Sequence, residues 1–517
     1  MPSPEPRHVN PWIVAVAVMF ATFMEVLDTT VVNVSLPHIA GSLSATIEES
    51  TWALTSYLVA NAIVLPLTGW LATYFGRKRL LMASVAGFTV ASFLCGLAPN
   101  LQMLVLFRVI QGATGGAMQP LSQAVLLEAF PPHERGKAMG FWGLGIVVAP
   151  ILGPVIGGWL TDTYSWRWVF YINIPVGIAS LVMTKLFIFD PPYMKRQSES
   201  IDYWGIGLLA LGIGALQIML DLGQREDWFQ SNFILLLCVM SLAALAAFVI
   251  RELDVEHPVV DLRVFKLRTF ATGVFLMTTL GFVLYGSLVL LPIMLQTLLG
   301  YPPVQAGFAM APRGVGSFLG MPAIGFLIAK LDSRRLVAGG LIVAGLTLIW
   351  LGHLNLNAGY WDIFWPQFFQ GLGMSMVFVP LTTISMDPIP RERMGNATSL
   401  FNLMRNLGGG IGIATTSTLL SRRSQSTAAI LANNVNAYNP AARSAFAGAR
   451  EAFIKGGSDP ATATARAYAA IAGMVHRQAT MVAFVEIFTL LGVIFLFLVP
   501  LVFLMKRPRG KAAIAAH

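Results

Sequence analysis

Charge is scarce in this chain: 11% of its 517 residues are Asp, Glu, Lys or Arg, against about 25% in an ordinary soluble domain. With 56% hydrophobic residues and a mean hydropathy of +0.69, a water-soluble fold of this size could not hide its apolar surface, and lipid is the solvent that fits. Cysteine is nearly absent too. Cys95 and Cys238 stand far apart in apolar stretches, which excludes a disulfide framework and a thiolate metal site. The seven histidines form no ligand-spaced pair, so no metal is expected. No Gly-x-x-x-x-Gly-Lys-Ser/Thr loop occurs, so ATP does not drive this protein directly and no cofactor is called for. The net charge of +9 sits in short clusters between apolar runs rather than on one stripe, which argues against nucleic acid as a partner. No nucleophile with a base and no metal cluster is visible, so an enzyme of the membrane surface is only a remote alternative. No cleavable signal peptide is evident, because the first apolar run is too long and continues into polar sequence.

What is present is apolar length. Fourteen runs are long enough for a helix to cross about 30 Å of hydrocarbon. They lie near 12–33, 50–71, 80–98, 102–126, 138–160, 168–189, 204–222, 232–250, 270–296, 304–329, 336–354, 362–387, 396–420 and 481–505. With the N-terminus in the cytoplasm, inner loops receive Arg77, Lys78, Arg79, Arg135, Lys137, Lys195, Arg196, Arg334, Arg335, Arg391, Arg393 and the tail from Lys506. Short outer loops receive little beyond Arg167 and Arg225. That asymmetry places both termini in the cytoplasm.

The chain also repeats itself. Pro66-Leu67-Thr68-Gly69-Trp70-Leu71 with Lys78-Arg79-Leu80 returns as Pro322-Ala323-Ile324-Gly325-Phe326-Leu327 with Arg334-Arg335-Leu336. Gln111-Gly112 with Pro120-Leu121 returns as Gln370-Gly371 with Pro380-Leu381, and Pro132-x-Glu134-Arg135 as Pro390-x-Glu392-Arg393. The shared offset is roughly 256 to 260 residues, the mark of two homologous halves in a repeat-built transporter. Six spans with short loops need only about 190 residues, so two extra helices lie between the halves. The expected fold is an all-α membrane protein of 14 transmembrane helices. Its parts are a cytoplasmic N-terminus (1–11), a six-helix bundle (12–189), a linker with two inserted helices (190–269), a second six-helix bundle (270–505) and a cytoplasmic tail (506–517).

The polar residues inside these runs are few enough to name. Glu25 and Asp28 stand one turn apart on one face of the first helix. A carboxylate there is costly unless it is protonated or paired with a cation, and both outcomes suit a proton carrier; a capping or interhelical bond is the plainer alternative. Arg108 lies within the fourth run with Gln111, Gln119 and Gln123 at helical spacing, and a guanidinium that cannot deprotonate must find acceptors or line a wet cavity. Asn402, Arg405 and Asn406 form a comparable patch in the thirteenth run, and Arg313, beside Pro312, finds only a structural role in this pattern. Gly143, Pro150, Gly153, Pro154, Gly157 and Gly158 give the fifth run a small-residue face with bends, suited to close helix packing. The basic residues after Gly76 set topology, or latch the halves together.

These motifs resemble the major facilitator superfamily, and within it the fourteen-helix drug:proton antiporters. Leu27-Asp28-Thr29-Thr30-Val31-Val32-Asn33-Val34-Ser35-Leu36-Pro37 is similar to that group's first-helix signature, Gly69 through Arg79 to its loop motif, Arg108-x-x-Gln111-Gly112 to its fourth-helix motif and Gly145 to Gly158 to its fifth-helix antiporter motif. Trp166-Arg167-Trp168-x-Phe170-x-Ile172-Asn173-x-Pro175, Leu220-Asp221-x-Gly223 and Asp227-Trp228 add marks of the branch. One departure is Thr73, where the loop motif usually carries an acid. The branch resembled most is that of EmrB-type multidrug efflux pumps.

That resemblance implies proton-coupled efflux of hydrophobic or amphiphilic compounds across the bacterial inner membrane by alternating access. Asp28, Glu25 and Arg108 would couple protons. Asn33, Gln111, Gln119, Gln123, Asn402, Arg405 and Asn406 would line the cavity. Gly69, Gly76, Arg77, Lys78, Arg79 and the fifth-run glycines and prolines would serve the conformational motifs. It further implies partners: a periplasmic EmrA-like adaptor and an outer-membrane TolC-like channel. The long outer segment 421–480 would dock the adaptor, with Ala441–Ile454 and Ala461–Arg477 as a helical hairpin. A dedicated exporter of one metabolite or fatty-acid-like molecule on the same fold is the alternative.

Overall fold

The computed structural model describes residues 10–131, 134–190, 202–256, 258–328, 330–436 and 438–506; Pro132, Lys195, Arg196 and the tail beyond Lys506 lie outside them. Helices α1 to α9 are Pro11–Ser42, Ile47–Ser50, Trp52–Phe75, Arg77–Leu97, Leu101–Gly115, Met118–Ala129, Arg135–Thr163, Trp168–Tyr171 and Asn173–Phe187. Helices α10 and α11 are Tyr203–Leu222 and Asn232–Asp254. Helices α12 to α18 are Arg268–Ile293, Pro303–Leu327, Ser333–Leu351, Tyr360–Met386, Met394–Ala432, Pro440–Lys455 and Pro460–Val502. No strand occurs among the described residues.

Local chemistry starts these helices where the sequence places the signals. Asn10, Asn100, Asp202, Asp332, Asn439 and Asp459 each accept from a backbone N–H of the helix that follows, and prolines occupy the first turn of α1, α17 and α18, where a missing donor costs nothing. Gly76, at φ +88°, makes the tight turn from α3 to α4 that an L side chain resists.

Among the described residues ten helices are long and apolar enough to cross a membrane, and eleven if the two parts of α7 count as one span. The other expected runs fall on α5 with α6, on α13 and on α16, and each is diluted for a physical reason. Gly116 and Ala117 part α5 from α6, α13 holds Arg313, and α16 holds Asn402, Arg405 and Asn406. The α7 bend, 41° between Arg135–Pro150 and Val155–Thr163, lies where the prolines lead one to expect it. Only 28% of the most apolar stretch of α11 is buried, so its face is left for lipid.

Within the first half α1 packs on α7 and α9, α3 on α5, and α4 on α5 and α9. The second half repeats these pairings: α12 on α16, α13 on α15, and α14 on α15 and α18. Across the halves α7 meets α13 and α15, while α16 meets α3 and α6. One hydrophobic core, from Val14 to Met505, runs through both halves.

The outer segment differs from a separate hairpin. Helix α17 covers the expected first arm, but the second arm is the start of α18, which continues unbroken into the final span. No proline interrupts Ala461–Ala479 and its lone glycine, Gly473, is tolerated, so the helix propagates. At about 1.5 Å per residue, α18 is roughly 65 Å long, about twice the hydrocarbon thickness. Helix α16 likewise runs on to Ala432. Between the ends of α16, α17 and α18 lies a mostly apolar cavity of about 640 Å³, walled by Ala432, Phe446, Tyr468 and Ile471 among others.

Candidate functional site

Asp28 sits on the inner face of α1, fully buried, and three side chains donate to it. Arg108 Nη1 reaches Oδ2 at 2.5 Å, Gln111 Nε2 reaches Oδ1 at 3.0 Å and Asn173 Nδ2 reaches Oδ1 at 2.8 Å. Arg108 also donates to the Ala53 carbonyl at 2.8 Å and the Gln111 Oε1 at 2.7 Å, and its guanidinium lies 4.2 Å from the Tyr57 ring centroid. Asn173 is held in turn by Ser92 Oγ at 2.9 Å. The network lies within the first half: one anion, one cation and two amides, all buried, with Arg108 Nη2 and Asn173 Oδ1 left without a hydrogen-bond partner among the described residues. Three donors on the two Asp28 oxygens offset much of the cost of burying that charge.

Glu25, one turn earlier, has a different environment. Its Oε1 accepts from Asn61 Nδ2 at 3.0 Å, while its Oε2 is buried with no hydrogen-bond partner among the described residues. It borders the place where the halves join. There Arg405 Nη2 donates to Gln119 Oε1 at 2.6 Å, Asn402 Nδ2 to Gln123 Oε1 at 2.5 Å, and Thr398 Oγ1 to the Pro120 carbonyl at 3.2 Å. Asn406 Oδ1 accepts from Arg405 at 3.3 Å. The expected cavity residues are therefore divided: Gln111 belongs to the Asp28 network, whereas Gln119, Gln123, Asn402, Arg405 and Asn406 form the junction between halves. Asn33 is exposed and outside both sets.

The glycine and basic motifs separate in the same way. On α7, Gly143 faces Met321 of α13, whereas Gly153 and Gly157 face Thr30 and Val31 of α1. Pro150 is half-buried at the bend. The side chain of Pro154 is outside the described ones, and Gly158 has open space around it. Gly69 of α3 lies against the backbone of Asn396 at the start of α16, closely enough that any side chain would collide with it. The latch between halves expected of the basic loop is not made by its cations. Arg77 pairs with Glu128, the Lys78 amide donates to Asp190 at 2.8 Å and its ammonium to the Lys185 carbonyl at 2.7 Å; Glu128 and Lys185 belong to the first half, Asp190 directly follows it, and Arg79 is exposed. Gly69 makes the contact instead. Thr73, in the place of the usual acid, donates to the Gly69 carbonyl at 3.0 Å.

Sequence reasoning missed Asn61 and Tyr57, lone polar groups in an apolar helix, and Trp142, whose ring stacks on Phe378 across the halves at 6.3 Å while its Nε1 donates to Thr22 at 3.1 Å. It marked Asp221 and Trp228 without a role. Asp221 accepts from Thr55 of α3, and Trp228 Nε1 donates to Thr418 of α16 at 2.8 Å, so the outer end of the inserted helices is tied to both halves.

Comparison with known proteins places this arrangement. The sequence profile of the Major Facilitator Superfamily matches residues 18–413. The chain is 41% identical to the multidrug export protein EmrB of Haemophilus influenzae and 40% identical to the fatty acid resistance protein FarB of Neisseria gonorrhoeae, each over 500 residues covering 96% of both chains. Among solved structures, the human organic anion transporter MFSD10 superposes with a TM-score of 0.60 at 12% identity, over 94% of this chain and 100% of that one.

Proposed function

The chain belongs to the Major Facilitator Superfamily, and from that premise we propose that it is a proton-coupled multidrug exporter, a transporter rather than an enzyme. Its substrates are hydrophobic and amphiphilic compounds, and it works by alternating access in a bacterial inner membrane. The observation that carries the reading is the buried Asp28–Arg108 pair, on helices whose only other carboxylate or cation is Glu25, one turn from Asp28. A proton arriving on Asp28 cancels its attraction for Arg108 and leaves the guanidinium on Ala53, Gln111 and the Tyr57 ring; its departure restores the pair. A two-state electrostatic element of this kind lets a proton gradient bias the helix arrangement.

The remaining parts follow the same reading. We take the fold as fourteen spans, with pseudo-symmetric six-helix halves 12–189 and 270–505 and an inserted pair in 190–269. The basic loops and both termini are placed in the cytoplasm. Close contacts between the halves, Gly69 on Asn396 and Gly136 on Ile328 and Gly325, cluster at the end that carries those loops, which supports reading this arrangement as outward-open. The tight α7 packing on both α1 and α13 serves as the seal that makes exchange obligatory. The outer cap of α16, α17 and α18 serves as the dock for a periplasmic adaptor that leads to an outer-membrane channel, its apolar cavity being the gripping surface. A narrower reading, export of fatty-acid-like molecules, draws support from the name of the FarB relative.

Efflux from proteoliposomes under an imposed pH gradient is the test. Asp28→Asn abolishes pH-driven efflux with insertion intact; wild-type coupling in that variant refutes the mechanism, and a single accepted compound selects the narrower reading.

A further inference from the structure

The second half contains a buried cation with nothing to neutralise it. Arg313 on α13 is 8% exposed; among the described residues its side chain makes no hydrogen bond or ion pair, and its Nη2 is enclosed without a partner. Two amides of α15 share that condition. Gln367 Nε2 donates to Gln370 Oε1 at 3.2 Å, which leaves Gln367 Oε1 and Gln370 Nε2 buried and unbonded. The helices are pressed together here. Gly371, next to Gln370, abuts the Arg313 carbonyl with no room for a Cβ, and Ser317, one turn along α13, donates to the Gly371 carbonyl at 3.1 Å.

The first half shows such a place with a counter-ion, although Arg108 Nη2 too is buried without a hydrogen-bond partner. Gly112, next to Gln111, abuts the Tyr57 carbonyl in the same way, and Arg108 precedes Gln111 by one turn as Gln367 precedes Gln370. The cation there has Asp28. In the second half the arginine stands at the position corresponding to Tyr57, and α12, which packs on α16 as α1 packs on α7, contains no Asp or Glu. A guanidinium cannot shed its proton to escape burial, and an unpaired buried charge is strongly destabilising. Its counter-charge must come from outside the chain. Arg313 is ten residues into α13, about 15 Å from the nearer end, a depth that a lipid headgroup does not normally reach and a transported molecule does.

We infer that Arg313 and Gln370 form a subsite for the carboxylate head of an amphiphilic substrate. The carboxylate accepts from Arg313 Nη2 and Gln370 Nε2, and Gln367 Oε1 accepts from an adjoining water or substrate hydroxyl. The inference rests on the export reading and deepens it by naming one substrate class.

The test uses the full chain in phosphatidylcholine nanodiscs and measures binding of decanoate and of decyltrimethylammonium by calorimetry. A charge-assisted bond is worth about tenfold to a hundredfold in affinity. Arg313→Gln weakens decanoate by about that factor, Arg313→Lys recovers part of it, Gln370→Leu weakens it less, and decyltrimethylammonium binds all of them as it binds wild type. Unchanged decanoate affinity in both Arg313→Gln and Gln370→Leu overturns the subsite, as does failure of decanoate to bind wild type. Block of decanoate by chloride, or by phosphatidylglycerol in the nanodisc, overturns it in favour of an inorganic anion or a lipid. If Arg313→Gln does not fold, Arg313→Lys and Gln370→Leu decide. Efflux of decyltrimethylammonium from proteoliposomes is measured in parallel. Its absence in wild type refutes the export reading itself, whereas its persistence beside lost decanoate binding supports the subsite.

Discussion

Arg108→Met offers the sharpest test of the buried network, because the structure sets both the cost of the change and its cure. The substitution leaves the Asp28 carboxylate with two amide donors, Gln111 and Asn173, and no cation. Removing one partner of a buried pair costs about 3–5 kcal/mol. Asp28→Asn costs less, about 2 kcal/mol, because Arg108 keeps the Ala53 carbonyl, the Gln111 amide oxygen and the Tyr57 ring. If the two were independent, the double variant would lose about 5–7 kcal/mol. With both charges gone the remaining groups are neutral and hydrogen-bonded, and the double variant falls within about 2 kcal/mol of wild type. Thermal unfolding of purified protein in detergent measures all four corners of the cycle. A double variant no more stable than Arg108→Met refutes electrostatic coupling and leaves Arg108 a packing role. In pH-driven efflux Arg108→Lys retains part of the activity, and Arg108→Met and the double variant retain none.

Gly69→Val drives a side chain into the backbone of Asn396; the protein still inserts and folds, but efflux falls at least tenfold, and wild-type efflux would show that this contact is not part of the cycle. Glu25→Gln keeps the bond from Asn61 and lowers efflux only a few-fold with proton coupling intact, whereas loss of coupling equal to that of Asp28→Asn would transfer the coupling role to Glu25. Asp202 lies outside the membrane spans. Burial pushes its carboxyl up, but the bonds from Arg251 and from the Gly205 amide outweigh that and hold it below the usual carboxylate range. A depressed pKa contributes stability above the unfolded value near 3.9 and loses it as pH falls through the folded value. Wild type therefore loses this contribution only below about pH 4, and Asp202→Asn lacks it throughout, as unfolding measured between pH 3 and 7 will show. Phe446→Asp with Ile471→Asp in the outer cavity leaves vesicle efflux unchanged but weakens adaptor co-purification and cellular resistance; survival of both removes the docking role.

The sequence was most readable where periodicity and composition carry the information. Each expected apolar run falls on a helix or a pair of consecutive helices, and Asn439-Pro440 and Asp459-Pro460 mark true helix starts because capping is a local interaction. The end of the second outer helix was not legible, since α18 stops only when the chain leaves the membrane. Spacing put Glu25 with Asp28 and Arg108 with Gln111, but Asn61 and Asn173 join them from other helices, and lone amides carry no periodic signal. The bonds Gln119–Arg405 and Gln123–Asn402 join residues 286 and 279 positions apart, a pairing that no local pattern encodes. Asn33 and Gly158 show the converse limit: their residue types suit a site, yet their surroundings are open.

Helix α16 begins at the Gly69 contact, passes the Gln119 and Gln123 bonds, and ends beside the outer cavity without leaving its helical path. At 39 residues it is a rod about 60 Å long. Whatever holds the outer cap thereby grips one end of an element whose other end touches the opposite half of the transporter. Thermodynamic reciprocity then applies: a partner that prefers one arrangement of the halves shifts their balance by the same factor by which that arrangement tightens the partner's grip. On the proposed topology the cap makes the occupancy of the transport cycle readable from outside the membrane, and also adjustable from there.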